Sequence, residues 1–81
     1  MMISTWTVAM MERRAKLGAD ARTLKVLSPF GTKWFWMKHV DVCTNSPKRG
    51  SKGDALVVDS ATAEVMRFNL TARGWKVEVK F

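Results

Sequence analysis

The sequence predicts a small α+β domain, in which a mainly antiparallel sheet of four to five strands carries one principal helix. Three observations support this class. The segment WKVEVKF at 75–81 alternates between apolar and charged residues, the period of a strand with one face in water. Residues 60–73 follow a helical pattern that ends at Gly74. The segment at 33–43 is rich in aromatic and β-branched residues, as strands are.

The N-terminal segment supports two interpretations. STWTV at 4–8 is typical of a strand, whereas AMMERRAKL at 9–17 consists of strong helix formers followed by Gly18. We favour a strand, with a short second helix at 9–17 as the alternative. The strand gives the order strand, strand, strand, strand, helix, strand. The helix moves the order towards a split β-α-β arrangement.

A hairpin is predicted around the segment SPFG. Its proline and glycine stand at the second and fourth positions of a type I turn, so RTLKVLS pairs with the strand at 33–43. In that second strand Trp34 and Trp36 share one face, and Phe35 and Met37 share the other. A small core needs large side chains, and a nucleobase-stacking surface needs aromatic residues flanked by lysines. We favour core with a covering layer over a stacking surface.

The segment NSPKRGSKGD is predicted to form a basic mobile loop at 45–54, before the run ALVV at 55–58, which we expect to be a buried strand. Turn chemistry explains its glycines and its proline, but it does not explain Lys48, Arg49 and Lys52. Long cationic side chains on a loop can contact phosphates without a fixed geometry. We therefore expect this loop to contact an anionic partner.

The helix at 60–73 carries two apolar stripes on nearly opposite sides. We expect Val65 and Phe68, with Ala61 and Ala72, to support the fold. The second stripe is Ala63, Met66 and Leu70. We favour its being covered by a neighbouring strand or loop. The alternative is that Met66 and Leu70 form a protein interface, either with a partner or in a dimer.

Composition limits the class of protein. With 81 residues and 47% hydrophobic residues, the chain is expected to form one compact domain over 1–81. A single cysteine allows no intrachain disulfide, which favours a reducing, cytoplasmic location. No apolar run approaches the roughly 20 residues of a membrane-spanning helix. We expect no membrane association, and either a monomer or a small homo-oligomer.

The positive charge is concentrated in one part of the chain. Residues 13–52 hold ten Lys or Arg and two acids, giving +8, and the remainder holds four and five, giving −1, which sums to the net +7. Such an asymmetry attracts phosphates or acidic protein surfaces at long range. The candidate contact residues are Arg13, Arg14, Lys33, Lys38, Lys48, Arg49 and Lys52.

Catalysis is not predicted. His39 and Cys43 would lie about 13 Å apart on a strand, too far for a nucleophile–base pair, and one His with one Cys cannot form a zinc site. The glycine-containing loop lacks the spacing of a phosphate-binding P-loop and leads into a strand, whereas a P-loop leads into a helix. We therefore predict no catalytic residue, no metal, no cofactor and no enzymatic activity.

Two functions remain. The first is non-enzymatic binding of an anionic partner, with nucleic acid the first candidate and little sequence preference, because no base-reading element is evident. The alternative is an inhibitor or adaptor that occupies a site on a larger host protein complex. Phage-encoded antagonists of host machinery, including anti-CRISPR proteins, are of similar size and composition, which is an analogy and not a motif match.

Overall fold

The computed structural model describes residues 4–41 and 46–81. It contains a five-stranded antiparallel sheet and two α-helices, so the predicted α+β class is confirmed. The elements in chain order are helix α1 (Thr5–Leu17), strands β1 (Ala21–Leu27), β2 (Phe35–Asp41), β3 (Ser46–Gly50) and β4 (Val58–Asp59), helix α2 (Ser60–Ala72) and strand β5 (Lys76–Lys80). Short 3₁₀ helices lie at Gly18–Asp20 and Lys52–Asp54.

Strand β1 is central to the sheet. β2 pairs with one edge of β1, and β3 pairs with the opposite edge of β2. On the other side of β1, β5 pairs with residues 23–27, and β4 pairs with Ala21 and Arg22 at the start of β1. The predicted hairpin turn is confirmed, since the amide of Gly31 donates to the carbonyl oxygen of Ser28 over 3.1 Å.

The two helices contact different clusters of core residues. Leu24 and Val26 of β1 are buried with α2, whereas Ala21 is buried with Met10 of α1 and Val57. Successive residues of a strand point to opposite faces, so these contacts set α2 and α1 against opposite faces of the sheet. α1 covers the end near Ala21, and the rest of that face has no described helix over it.

The N-terminal strand that we favoured is wrong, and the alternative helix is longer than predicted. α1 begins after Ser4, whose hydroxyl oxygen accepts the Thr7 amide over 3.1 Å as an N-cap. The indole N–H of Trp6 donates to the carbonyl oxygen of Asp54 over 2.6 Å. The local preference of STWTV for a strand is thus overridden by a helix cap and by a contact far away in sequence.

The predicted loop at 45–54 contains regular structure. Residues 46–50 form β3 and 52–54 form a 3₁₀ helix, so the extended loop interpretation is wrong over these residues. A strand at the edge of a sheet pairs through backbone groups, which any residue except proline supplies in full. The absence of apolar side chains therefore did not exclude a strand. Asn45, at the start of the predicted loop, lies outside the described residues.

Helix α2 packs with the stripe opposite to the one that we predicted for the core. Ala63 is fully buried and Leu70 is 4% exposed, whereas Val65 is 59% and Phe68 is 71% exposed. Met66 is partly buried against the same core. The small side chain of Ala63 allows the helix backbone to approach the sheet closely. The expectation that Val65 and Phe68 support the fold is therefore wrong, and the expectation that Met66 and Leu70 are covered is correct.

The C-terminus of α2 is closed by a Schellman motif. The amide of Trp75 donates to the carbonyl oxygen of Leu70, and the amide of Gly74 to that of Thr71, each over 3.0 Å. Gly74 has a φ of 90°. Trp75 then packs on the core beside Leu70, which directs the chain into β5. The N-terminal cap is Asp59, whose carboxylate accepts the Thr62 amide over 3.0 Å.

Substituting Gly74 should measure the cost of this left-handed position. We expect Gly74→Ala to lower the free energy of unfolding by roughly 1–2 kcal/mol, because a Cβ is disfavoured at positive φ. Its Cβ would otherwise make only ordinary contacts, 3.4 and 3.5 Å from Pro29. Gly53→Ala is the matched control, because nothing lies within 4 Å of its added Cβ. Urea unfolding of both variants checks this, and equal stabilities would contradict it.

Candidate functional site

Strand β2 directs Phe35 and Met37 into the core and Trp36 away from it. Met37 is fully buried, and Phe35 packs on the same core. Trp36 is half-buried on the opposite face, and Trp34, the residue before the strand, is 36% exposed. The sequence left open which face is buried, and the structure answers that the Phe35–Met37 face is.

The tryptophan side of the sheet also carries lysines from three other strands. We define the outward face as the side chains of these strands that point away from α2. The part of that side that α1 buries, around Ala21, is not included. Paired residues on antiparallel strands share a face. In one row across the sheet, Trp36 pairs with Lys25 and Lys25 pairs with Glu78. The outward face comprises Lys25, Leu27, Trp36, Lys38, His39, Lys48, Lys76, Glu78 and Lys80.

Contacts within the outward face are cationic and aromatic. The Nζ atom of Lys25 lies 5.6 Å from the ring centroid of Trp36, and that of Lys38 lies 5.7 Å from the ring of Trp6 in α1. Both distances are within reach of a cation–π attraction. Glu78 forms an ion pair with Lys80 over 2.9 Å between half-exposed side chains. Pairs this exposed contribute little to stability and leave Lys80 able to meet another anion.

A bulge in β2 positions the cations of the edge strand. Met37 pairs with Arg49 and His39 pairs with Lys48, so Lys38 is the extra residue. Arg49 therefore shares the face of Met37, and its guanidinium lies 5.4 Å from the Phe35 ring. Lys48 shares the outward face. Lys48 and Arg49, which were expected to contact the same anionic partner, thus point to opposite sides of the sheet.

The other predicted cations lie away from the outward face or beside it. Arg13 donates to the carbonyl oxygen of Val57 over 3.0 Å, which ties α1 to the chain before β4. Arg14 and Lys52 line a cavity of about 180 Å³ between α1 and the 3₁₀ helix. Lys33 is exposed in the loop that leads into β2. Of the seven predicted residues, the structure places Lys38 and Lys48 on the outward face and Arg14 and Lys52 around the small cavity, and Lys33 is adjacent in the chain to Trp34.

A larger groove does not resemble an anion site. It has a volume of about 570 Å³ and runs between α1 and the start of α2. Its charged lining residues are Glu12, Arg13, Lys16 and Asp59. Two cations and two acids give no net charge to attract an anion, and one of the cations is already hydrogen-bonded to Val57.

Asp54 connects the N-terminus of α1 to the segment before β4. Its carboxylate accepts hydrogen bonds from the hydroxyls of Thr7 and Ser51. The Thr7 bond is the largest cause that lowers the pKa of Asp54. Burial opposes it by raising the pKa, and the Ser51 bond and the positive charge of Lys38 lower the pKa further. The pKa of Asp59 is also lowered, mainly by its bond to Thr62.

These two carboxylates predict a loss of stability in acid. An acid with a lower pKa in the folded than in the unfolded chain binds its proton less readily when folded, so it stabilises the fold above its unfolded pKa of about 3.9. That contribution is lost as the pH falls below about 4. We expect the urea midpoint of the wild type to exceed that of Asp54→Asn at neutral pH, and the difference to shrink at about pH 3. A difference independent of pH would contradict this.

The single histidine lies on β2, whereas the single cysteine lies outside the part of the chain that the structure describes. His39 is exposed, with its ring 6.2 Å from that of Trp6. Cys43 lies outside the described residues. In the part of the chain that the structure describes, no three His, Cys, Asp or Glu side chains gather as metal ligands would. Neither described helix has the length and apolar character needed to cross a bilayer.

The hypothesis of a protein interface at Met66 and Leu70 requires correction. Leu70 is a core residue and Met66 is packed against the core, so neither offers a free surface. The exposed apolar side chains of α2 are Val65 and Phe68.

The contact residues chosen from the sequence did not include the cations of β1 and β5. Lys76 and Lys80 were recognised as the water-facing residues of the alternating segment, but they were not counted as candidates. No local pattern indicates Lys25 as a contact residue, and the pairing of β1 with β2 places it beside Trp36. The comparisons with protein-family models, curated proteins and solved structures find no match to this chain.

Proposed function

We propose that the protein is a non-enzymatic binding module whose outward face engages nucleic acid with little sequence preference. The observation that carries the proposal is the charge of that face. Lys25, Lys38, Lys48, Lys76 and Lys80 stand against one acid, Glu78, so five positive charges less one negative give +4. Lysines spread over a sheet attract a phosphate backbone at long range and bind it without reading bases.

The fold supports this role in a second way. These lysines come from four strands of a paired sheet, so their Cα positions are fixed while the side chains retain reach. A surface of this kind can follow a polyanion over several phosphates. The protein is expected in the cytoplasm, where nucleic acid is accessible to it.

Salt dependence tests the proposal. We would measure the anisotropy of a fluorescent 20-nucleotide oligomer of mixed sequence with the wild-type protein, at 50 and 200 mM salt. If four phosphates are neutralised, affinity should fall roughly 50- to 150-fold over this fourfold change, from a slope of about 0.7–0.9 per contact. Unrelated sequences should bind within a few-fold of one another. Absence of binding at 50 mM salt would contradict the proposal.

The second candidate is an inhibitor or adaptor that docks on a larger protein complex. It is favoured by the exposed stripe of α2, where Phe68 and Val65 are 71% and 59% exposed. Large apolar side chains grouped on a surface are typical of protein interfaces. A tagged protein should then retain a specific protein partner after nuclease treatment and in 0.5 M salt. Phe68→Asp should abolish that retention, whereas a nucleic-acid module would lose its partner under those conditions.

A further inference from the structure

Exposed aromatic residues lie in the segment that joins β1 to β2. Phe30 is 98% exposed and Trp34 is 36% exposed. Trp34 is the residue immediately before β2 and stands two residues from Trp36, whose partner across the sheet is Lys25. Residues two apart in an extended chain share a side, so Trp34 adjoins Trp36 where the chain enters the strand.

Exposed aromatic rings can stack on nucleic-acid bases only where those bases are unpaired. In a duplex the bases are already stacked and paired, so the partner offers the protein mainly its phosphates and groove edges. Unpaired bases have free π-faces, and aromatic side chains bind them by stacking. Lysines alone would suit either form, and the exposed tryptophan adds contacts that only unpaired bases can use.

The spacing of the tryptophans agrees with this. Residues two apart on a strand lie about 6.6 Å apart, roughly twice the 3.4 Å step between stacked bases. Two neighbouring bases could occupy both rings only if they were separated from each other, which a flexible single strand permits. The Nζ atom of Lys25 lies 5.6 Å from the Trp36 ring centroid, so positive charge lies beside that ring.

We propose that the outward face binds single-stranded nucleic acid, with unpaired bases stacked on Trp34 and Trp36 and phosphates held by the adjacent lysines. This inference rests on the proposed function and names the form of nucleic acid that the face selects.

The test compares one sequence in two forms. Anisotropy at 50 mM salt is measured with a labelled 20-mer and with its blunt duplex, for the wild type, Trp34→Ala and Trp34→Phe. The wild type should prefer the single strand. Trp34→Ala should weaken single-strand binding roughly 5- to 150-fold, as loss of one stacked base does, and Trp34→Phe should restore most of it. Duplex affinity should change little in either variant.

Phe68→Ala supplies the matched control, because it removes an exposed aromatic ring on the α2 side, and it should leave both affinities unchanged. Thermal melting confirms that each variant is folded. Equal affinity for the two forms, with Trp34→Ala neutral, would overturn the single-strand inference and leave the proposed function intact. Failure of the wild type to bind either form would overturn both.

Discussion

Truncation of Leu70 to alanine should lower the free energy of unfolding by about 2–5 kcal/mol. Its side chain is 4% exposed and lies in the cluster that joins α2 to β1 and β2. The alanine would remove this packing and leave a cavity that the packed sheet cannot close. The same substitution also weakens the Schellman motif, because Trp75 packs beside Leu70. Urea unfolding followed by circular dichroism measures the change.

Phe68→Ala should have little effect in the same assay, within about 0.5 kcal/mol, although phenylalanine is the larger residue. Phe68 is 71% exposed, so its removal takes little apolar surface out of the folded protein. Leu70→Asp extends the comparison, since a buried charge without a partner should unfold so small a domain. A folded Leu70→Asp variant, or a severely destabilised Phe68→Ala variant, would show that α2 packs with its other stripe.

Local sequence information was also insufficient to predict which stripe of α2 packs on the sheet. Its two stripes have similar hydrophobicity, so helical periodicity alone cannot choose between them. The choice depends on the direction in which the chain enters from β4 and leaves into β5. The helix end, by contrast, depends on a residue close by in the chain, and the stop at Gly74 is predicted from the sequence.

The N-terminus and β3 illustrate two other limits. Thr5, Thr7 and Val8 favour a strand locally, but Thr7 and the neighbouring Trp6 bind Asp54, which lies far along the chain. No local pattern contains that contact. β3 is held at a sheet edge by backbone pairing with β2, so its side chains carried no apolar period to detect.

The candidate site was partly predictable for a related reason. Alternation in β5 set Lys76 and Lys80 on the water-facing side, and alternation in β2 grouped Trp34 with Trp36. Joining the two sets requires β1 between β2 and β5, with Lys25 in register with both Trp36 and Glu78. Strand order and register are tertiary properties, so the basic face predicted from charge density alone shares only some of its members with the outward face.

The salt dependence of nucleic-acid binding should distinguish the outward face from the rest of the basic surface. We expect the triple variant Lys33→Gln/Lys48→Gln/Lys76→Gln to reduce the slope of log affinity against log salt by up to about 2 for a single strand, at roughly 0.7 for each phosphate that is no longer neutralised. All three side chains are exposed on the outward face or in the loop beside it. Anisotropy at several salt concentrations provides the slopes.

The matched control removes the same charge from the α2 side. Arg49→Gln/Arg67→Gln/Arg73→Gln also lowers the net charge from +7 by three, but Arg49 lies over Phe35 and the other two belong to α2 and its C-cap. If binding depends on where the charges lie, this variant should keep nearly the wild-type slope. Equal reductions in both triple variants would mean that only net charge matters. A larger reduction in the control would move the binding surface to the α2 side, where the guanidinium of Arg49 lies.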